Sequence, residues 1–114
     1  MAVTEGKKVG DFVKYEGPMN FSREVCVVAV NQTIVIGQVC MENEAGEKLV
    51  LDASGELADC VALENITTAG ALGSGLFLVR HAICRQGDLS YGLAADAKAV
   101  ADAYLKAVNI IVRT

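Results

Sequence analysis

Leu76-Phe77-Leu78-Val79-Arg80, then after a polar turn Asp96-Ala97-Lys98-Ala99-Val100-Ala101-Asp102-Ala103-Tyr104-Leu105, and finally Ile110-Ile111-Val112-Arg113-Thr114, read as a strand, an amphipathic helix and a closing strand. The helix is the clearest element of the chain. Ala97, Val100, Ala101, Tyr104, Leu105 and Val108 recur at i, i+3, i+4, i+7, i+8 and i+11, which puts them on one stripe expected to pack against a sheet. Asp96 stands at the N-cap, Asp102 and Lys106 form an i,i+4 pair on the wet face, and Asn109 suits the left-handed position that ends a helix.

Working outward, the segment before this ending is β-rich. Residues 23–30 form an apolar run of the buried-strand type, Asn31-Gln32 turns, and residues 33–41 form a second strand in which Gly37 marks a bend or bulge. Residues 42–47 make a polar hairpin loop into Lys48-Leu49-Val50-Leu51, Asp52-Ala53-Ser54-Gly55 makes the next turn, and residues 57–65 hold another strand. Short strands between tight turns predict an α+β, mainly β fold, with a small β-barrel or sandwich-like body, one C-terminal amphipathic helix and a closing strand. Gly70-Ala71-Leu72-Gly73-Ser74-Gly75 opens a strand over residues 76–84 rather than a helix, so it reads as a flexible connection and not a phosphate loop.

The N-terminal end differs. It carries Glu5-Gly6-Lys7-Lys8 and the single proline of the chain, in Glu16-Gly17-Pro18-Met19-Asn20. Gly-Pro interrupts strand pairing, so residues 1–17 are expected to form an extended arm hinged to a β-rich domain over residues 18–114. Within the arm, Asp11-Phe12-Val13-Lys14-Tyr15 has strand-forming side chains and no core of its own. Three fates are open to such a segment: disorder, addition as a strand to a partner's sheet, or service as the ordinary first strand of the domain.

Composition bounds what the protein does. The chain has 114 residues, 53% of them apolar, and a mean hydropathy of +0.37, which is more apolar material than a small monomer readily hides. Oligomerisation is expected. The formal charge is -4, the pI about 4.9, and basic residues are scattered, so no nucleic-acid partner is expected. No apolar h-region follows Lys7-Lys8 and no apolar run is long enough to span a bilayer, so neither a signal peptide nor a membrane partner is expected. In a chain made in a cytoplasm, the sequons at Asn20, Asn31 and Asn65 are turn residues.

Cys26, Cys40, Cys60 and Cys84 have no CxxC spacing and sit beside valine, isoleucine or methionine, as small core hydrophobes do. Four cysteines also permit two disulfides in three connectivities. His81 and Cys84, three apart on a strand, face opposite ways, so no metal site and no cofactor are expected. One histidine, no GxSxG, no HExxH, and carboxylates confined to polar loops give no convergent acid, base and nucleophile, so no catalytic residues are assigned.

Five stretches carry a resemblance. Gly17-Pro18-Met19-Asn20-Phe21-Ser22-Arg23-Glu24-Val25, residues 32–39, and Gly55-Glu56-Leu57-Ala58-Asp59-Cys60-Val61-Ala62-Leu63-Glu64-Asn65-Ile66 occur in the order found in the lambda-type bacteriophage head decoration proteins. Leu78-Val79-Arg80-His81-Ala82 resembles that family's Leu-Val-Arg-Gly-Ala strand, with His81 where the pattern has glycine, and residues 105–113 resemble its helix and last strand. The likeness spans roughly residues 17–113. It implies a non-enzymatic virion protein, made in the host cytoplasm, that binds the capsid exterior as a homotrimer at three-fold sites and clamps the coat protein against DNA pressure. It also implies attachment through the N-terminal arm, which makes Val9, Phe12, Val13 and Tyr15 the candidate capsid contacts. The alternative is a small β-barrel module that binds a ligand or peptide in a concave site of the body.

Overall fold

The computed structural model describes residues 12–16 and 22–114, with backbone alone at residues 15 and 16. The expected hinge at Gly17-Pro18 and the candidate contact Val9 lie outside the described residues.

Two left-handed residues divide the longest strand patterns and so shape the fold. Gly37, at φ +85°, occupies a region open to glycine and strained for most other residues, and it breaks the expected strand over residues 33–41. The halves become β3 (Thr33–Ile34) and β4 (Val39–Glu42), in different sheets. His81, at φ +50°, likewise breaks the expected strand over residues 76–84 into β8 (Gly73–Leu78) and β9 (Ala82–Arg85). This is the position where the resembling pattern has glycine, and the left-handed backbone is the physical reason for that preference.

The remaining elements are β1 (Val13–Glu16), β2 (Arg23–Val28), β5 (Lys48–Val50), β6 (Ala58–Ala62), β7 (Ile66–Thr67), α1 (Lys98–Ala107) and β10 (Ile110–Arg113). Strands β2, β5, β4, β6 and β8 close into a barrel, joined at its seam by the parallel pair Val28 and Lys48. Outside it, β1, β9 and β10 form a three-stranded sheet, and β3 pairs with β7. The β9 and β10 strands run parallel, Ile110 opposite Ala82 and Arg113 opposite Arg85, so the chain must cross over between them, and α1 makes the crossing. The fold is therefore mainly β, with a barrel body, a C-terminal helix and a closing strand, as the sequence predicts.

Alternation sorts the apolar side chains into two clusters. Val28, Cys40, Cys60, Ala62 and Phe77, with Cys26 and Val50 alongside, fill the barrel interior. Val39, Val61 and Leu78 face the other way and pack with Phe12, Cys84, Ala101, Leu105 and Ile110 between the barrel, the outer sheet and the helix. Side-chain amides tie segments that share no ladder: Gln32 Oε1 accepts the Val50 N–H at 2.9 Å, and Asn65 Oδ1 accepts the Ile36 N–H at 2.8 Å.

Several local expectations are corrected. The glycine-rich stretch is not a free connection, because β8 begins at Gly73 and Gly75 lies opposite Cys26; a Cβ at Gly75 would overlap the Ile66 side chain, so close packing explains the glycine. The expected buried run over residues 23–30 is buried only at Val28 and Ala29, since Val25 is 69% and Val27 46% exposed. Asp96 lies in a 3-10 stretch, Gly92–Ala97, and does not cap α1, whose N-cap is Ala97 without a side-chain bond. Asp102 turns inward to Tyr91 and Gln86 in place of the expected exposed pair with Lys106. Of the helical stripe, Ala101 and Leu105 are buried and Ala97 and Val108 half-buried, but Val100 and Tyr104 face outward at 40% and 38% exposure. Asn109 does end the helix in the left-handed region, at φ +63°.

Candidate functional site

The candidate contact residues meet the body at β1. Phe12 is fully enclosed in the cluster between the barrel and the outer sheet, and Val13 is half-buried against the same cluster, opposite Cys84. Lys14 is exposed, and residue 15 pairs with Ile83. The register shifts between Val13 and Tyr15, an irregularity of the kind that bends an edge strand. On its other side β1 pairs with no strand among the described residues. Phe12 thus roots the N-terminal segment in the core, and among the described residues β1 is the outermost strand of its sheet. The expected boundary at 17/18 puts β1 with the arm, yet its hydrogen bonds go to β9 of the body.

A second surface lies on the barrel wall that neither the sheet nor the helix covers. Val25 and Val27 project outward from β2 because their neighbours Cys26 and Val28 point in. Beside them a cleft of about 260 Å³ is lined by Glu24, Cys26, Glu42, Lys48 and Asp59. Lys48 is buried there, its Nζ 2.9 Å from Asp59 Oδ2 and 3.4 Å from Glu42 Oε1. Asp59 Oδ1 is buried and has no hydrogen-bond partner among the described residues. Sequence reasoning missed this surface, because an apolar residue facing solvent on a strand cannot be told from one facing a core.

Among the described residues four groups resist losing their protons, Cys26 among them because it is half-buried. Burial, then the neighbouring Cys40 thiol, pushes the Cys60 thiol well above the usual range. Burial and the hydrogen bond to Asp102, 2.5 Å away, push the Tyr91 phenol up. For Lys48 burial opposes the charge, but Cys60, Asp59 and Glu42 together outweigh it and raise its pKa. The folded state therefore holds protons that the unfolded chain has released above about pH 8.5, the ordinary thiol value. The contribution of these groups to stability is full below that pH and falls as pH rises through it. Urea midpoints from pH 7 to 10 are expected to show this decline, with a shallower slope in Cys60→Ala; a flat profile would contradict it.

Among the described residues no group of three or more His, Cys, Asp or Glu is placed to hold a metal, and no helix is long and apolar enough to cross a membrane. His81 is exposed while Cys84 is buried, and the barrel interior is occupied by side chains.

Comparison with known families finds one model that covers nearly the whole chain: that of the bacteriophage lambda head decoration protein D matches residues 2–110. It extends further toward the N-terminus than the sequence resemblance does, taking in the arm residues Val9, Phe12, Val13 and Tyr15. No curated protein matches the chain in direct comparison.

Proposed function

Because the chain belongs to the bacteriophage lambda head decoration protein D family, whose members are structural proteins of the phage capsid, we propose that it binds the exterior of the expanded head as a homotrimer at three-fold sites. There it clamps neighbouring coat-protein subunits against the pressure of packaged DNA. The observation that carries this reading is the family match over residues 2–110.

Attachment runs through the N-terminal arm, with Val9, Val13 and Tyr15 meeting the coat protein and Phe12 anchoring the arm's root. An edge strand rooted by a buried aromatic supports this, since a coat-protein strand pairing beside it would pull on the core and not on a loose tail. Three arms on one trimer engage together, so each contact need only be weak. An acidic chain also suits the outer face of the shell, away from DNA.

The subunit contact falls on the uncovered barrel wall. Val25 and Val27 supply apolar area there, and the orphaned Asp59 oxygen calls for a donor from a neighbouring subunit. Light scattering on the free protein is expected to give three times the 12.0 kDa of one chain. The double variant Val25→Asp, Val27→Asp is expected to remain folded and fall to a single chain's mass. A monomeric unmodified protein would overturn the trimer, and a trimeric double variant would overturn the assignment to this wall.

A further inference from the structure

We propose that Cys40 and Cys60 are a latent cross-strand disulfide, open in a reducing compartment and closed by a peroxide. Cys40 of β4 lies directly opposite Cys60 of β6 in antiparallel register. Residues so paired share a face with Cα atoms about 4.5–5.5 Å apart, within the roughly 4.4–6.8 Å over which a disulfide closes. Both side chains are fully enclosed in the barrel interior, and Cys40 Sγ donates to the Gln38 carbonyl at 3.5 Å. The register shifts just past the pair, between Cys40 and Met41, which gives β6 room to adjust its approach.

The other thiols are placed differently. Cys26 is half-buried on β2 opposite Gly75, and Cys84 belongs to the other cluster, opposite Val13 and Val112. Neither faces a cysteine across a ladder, so pairing is specific to Cys40 and Cys60.

Hydrogen peroxide is small enough to be the oxidant. One sulfur attacks a peroxide oxygen; the S–O bond forms, the O–O bond breaks, and the departing hydroxide takes up the thiol's proton as water. The second sulfur then displaces the hydroxyl, forming the S–S bond and releasing a second water. Two thiols and one peroxide thus give one disulfide and two waters. Both thiols are fully enclosed, so peroxide reaches them and closure proceeds as β4 and β6 breathe, not in the closed barrel. The staple joins two barrel strands and closes a loop containing β5, restricting the unfolded chain.

The test uses the full chain. The protein is warmed with hydrogen peroxide just below its unfolding midpoint, denatured, blocked with N-ethylmaleimide and read by mass spectrometry. One intramolecular link between Cys40 and Cys60, with Cys26 and Cys84 unlinked, is expected, together with reversal by dithiothreitol and an unfolding midpoint raised by roughly 5 °C. Cys26→Ala must keep the link, while Cys40→Ala and Cys60→Ala must lose it; the first variant carries the test should the other two fold poorly. A link to Cys26, links between chains only, or oxidation of Cys40 and Cys60 to acids without a link would overturn the proposal. An unchanged or lower midpoint in the linked form would overturn the stapling role.

Discussion

Removing residues 1–11 is expected to weaken attachment to expanded, undecorated heads by at least about 100-fold, because all three arms of the proposed trimer lose their grip together. The cut leaves Phe12 in the core and β1 on β9, so the melting profile and the mass of the free protein are expected to stay unchanged. Extending the deletion through residue 16 has a second consequence. It strips a fully buried phenylalanine from the core and the outer strand from a three-stranded sheet, so the domain itself is destabilised. Loss of binding in the longer deletion alone therefore says nothing about the arm, and the shorter one is the informative truncation. Binding curves for the 1–11 deletion that overlay those of the full chain would remove Val9 and its neighbours from the attachment and leave it to Val13 and Tyr15.

Phe12→Ala is expected to cost about 3–5 kcal/mol, the range for truncating a buried aromatic ring. Domains of this size have about 5–15 kcal/mol in total, so the unfolding midpoint should drop by more than about 10 °C. The same substitution should leave head binding of the folded protein little changed, whereas substituting Val9 or Tyr15 should do the reverse. Thermal melts and binding curves on the three variants separate an anchor from a contact. A Phe12→Ala protein that melts normally but fails to bind heads would place the ring at the capsid and not in the core.

The elements that local pattern determines were legible. The helix and closing strand followed from periodicity, the hairpin after β4 from its polar loop, and the turns at Asn31 and Asn109 from side chains that tolerate the left-handed region, at φ +58° and +63°. What depends on the rest of the chain was not. Residues 76–84 read as one strand because nothing in Val79-Arg80-His81 announces a reversal; only the resemblance, with glycine at that position, carried a hint of it. Gly75 read as flexible because its reason is the Ile66 side chain, distant in sequence. The helical stripe was assigned one face, but the sheet covers only half of it, and Val100 and Tyr104 stay outside. Asp102 reads as solvated in the sequence because its partner Tyr91 lies before the helix and meets it only through the fold.

The candidate site divides in the same way. Strand character at residues 13–16 was readable, whereas the burial of Phe12 depends on β9, about seventy residues further along. Val25 and Val27 were read as core because β propensity is blind to which wall of a barrel is covered. Cys40 and Cys60 could be named as buried thiols, but their register is set by the ladder between β4 and β6.

The most direct test of the account is co-sedimentation of the full-length protein with expanded, undecorated heads of the cognate phage, titrated to saturation. The account predicts saturable pelleting at three chains per three-fold site, with no binding to naked DNA. A well-folded protein that stays in the supernatant at every concentration would contradict it.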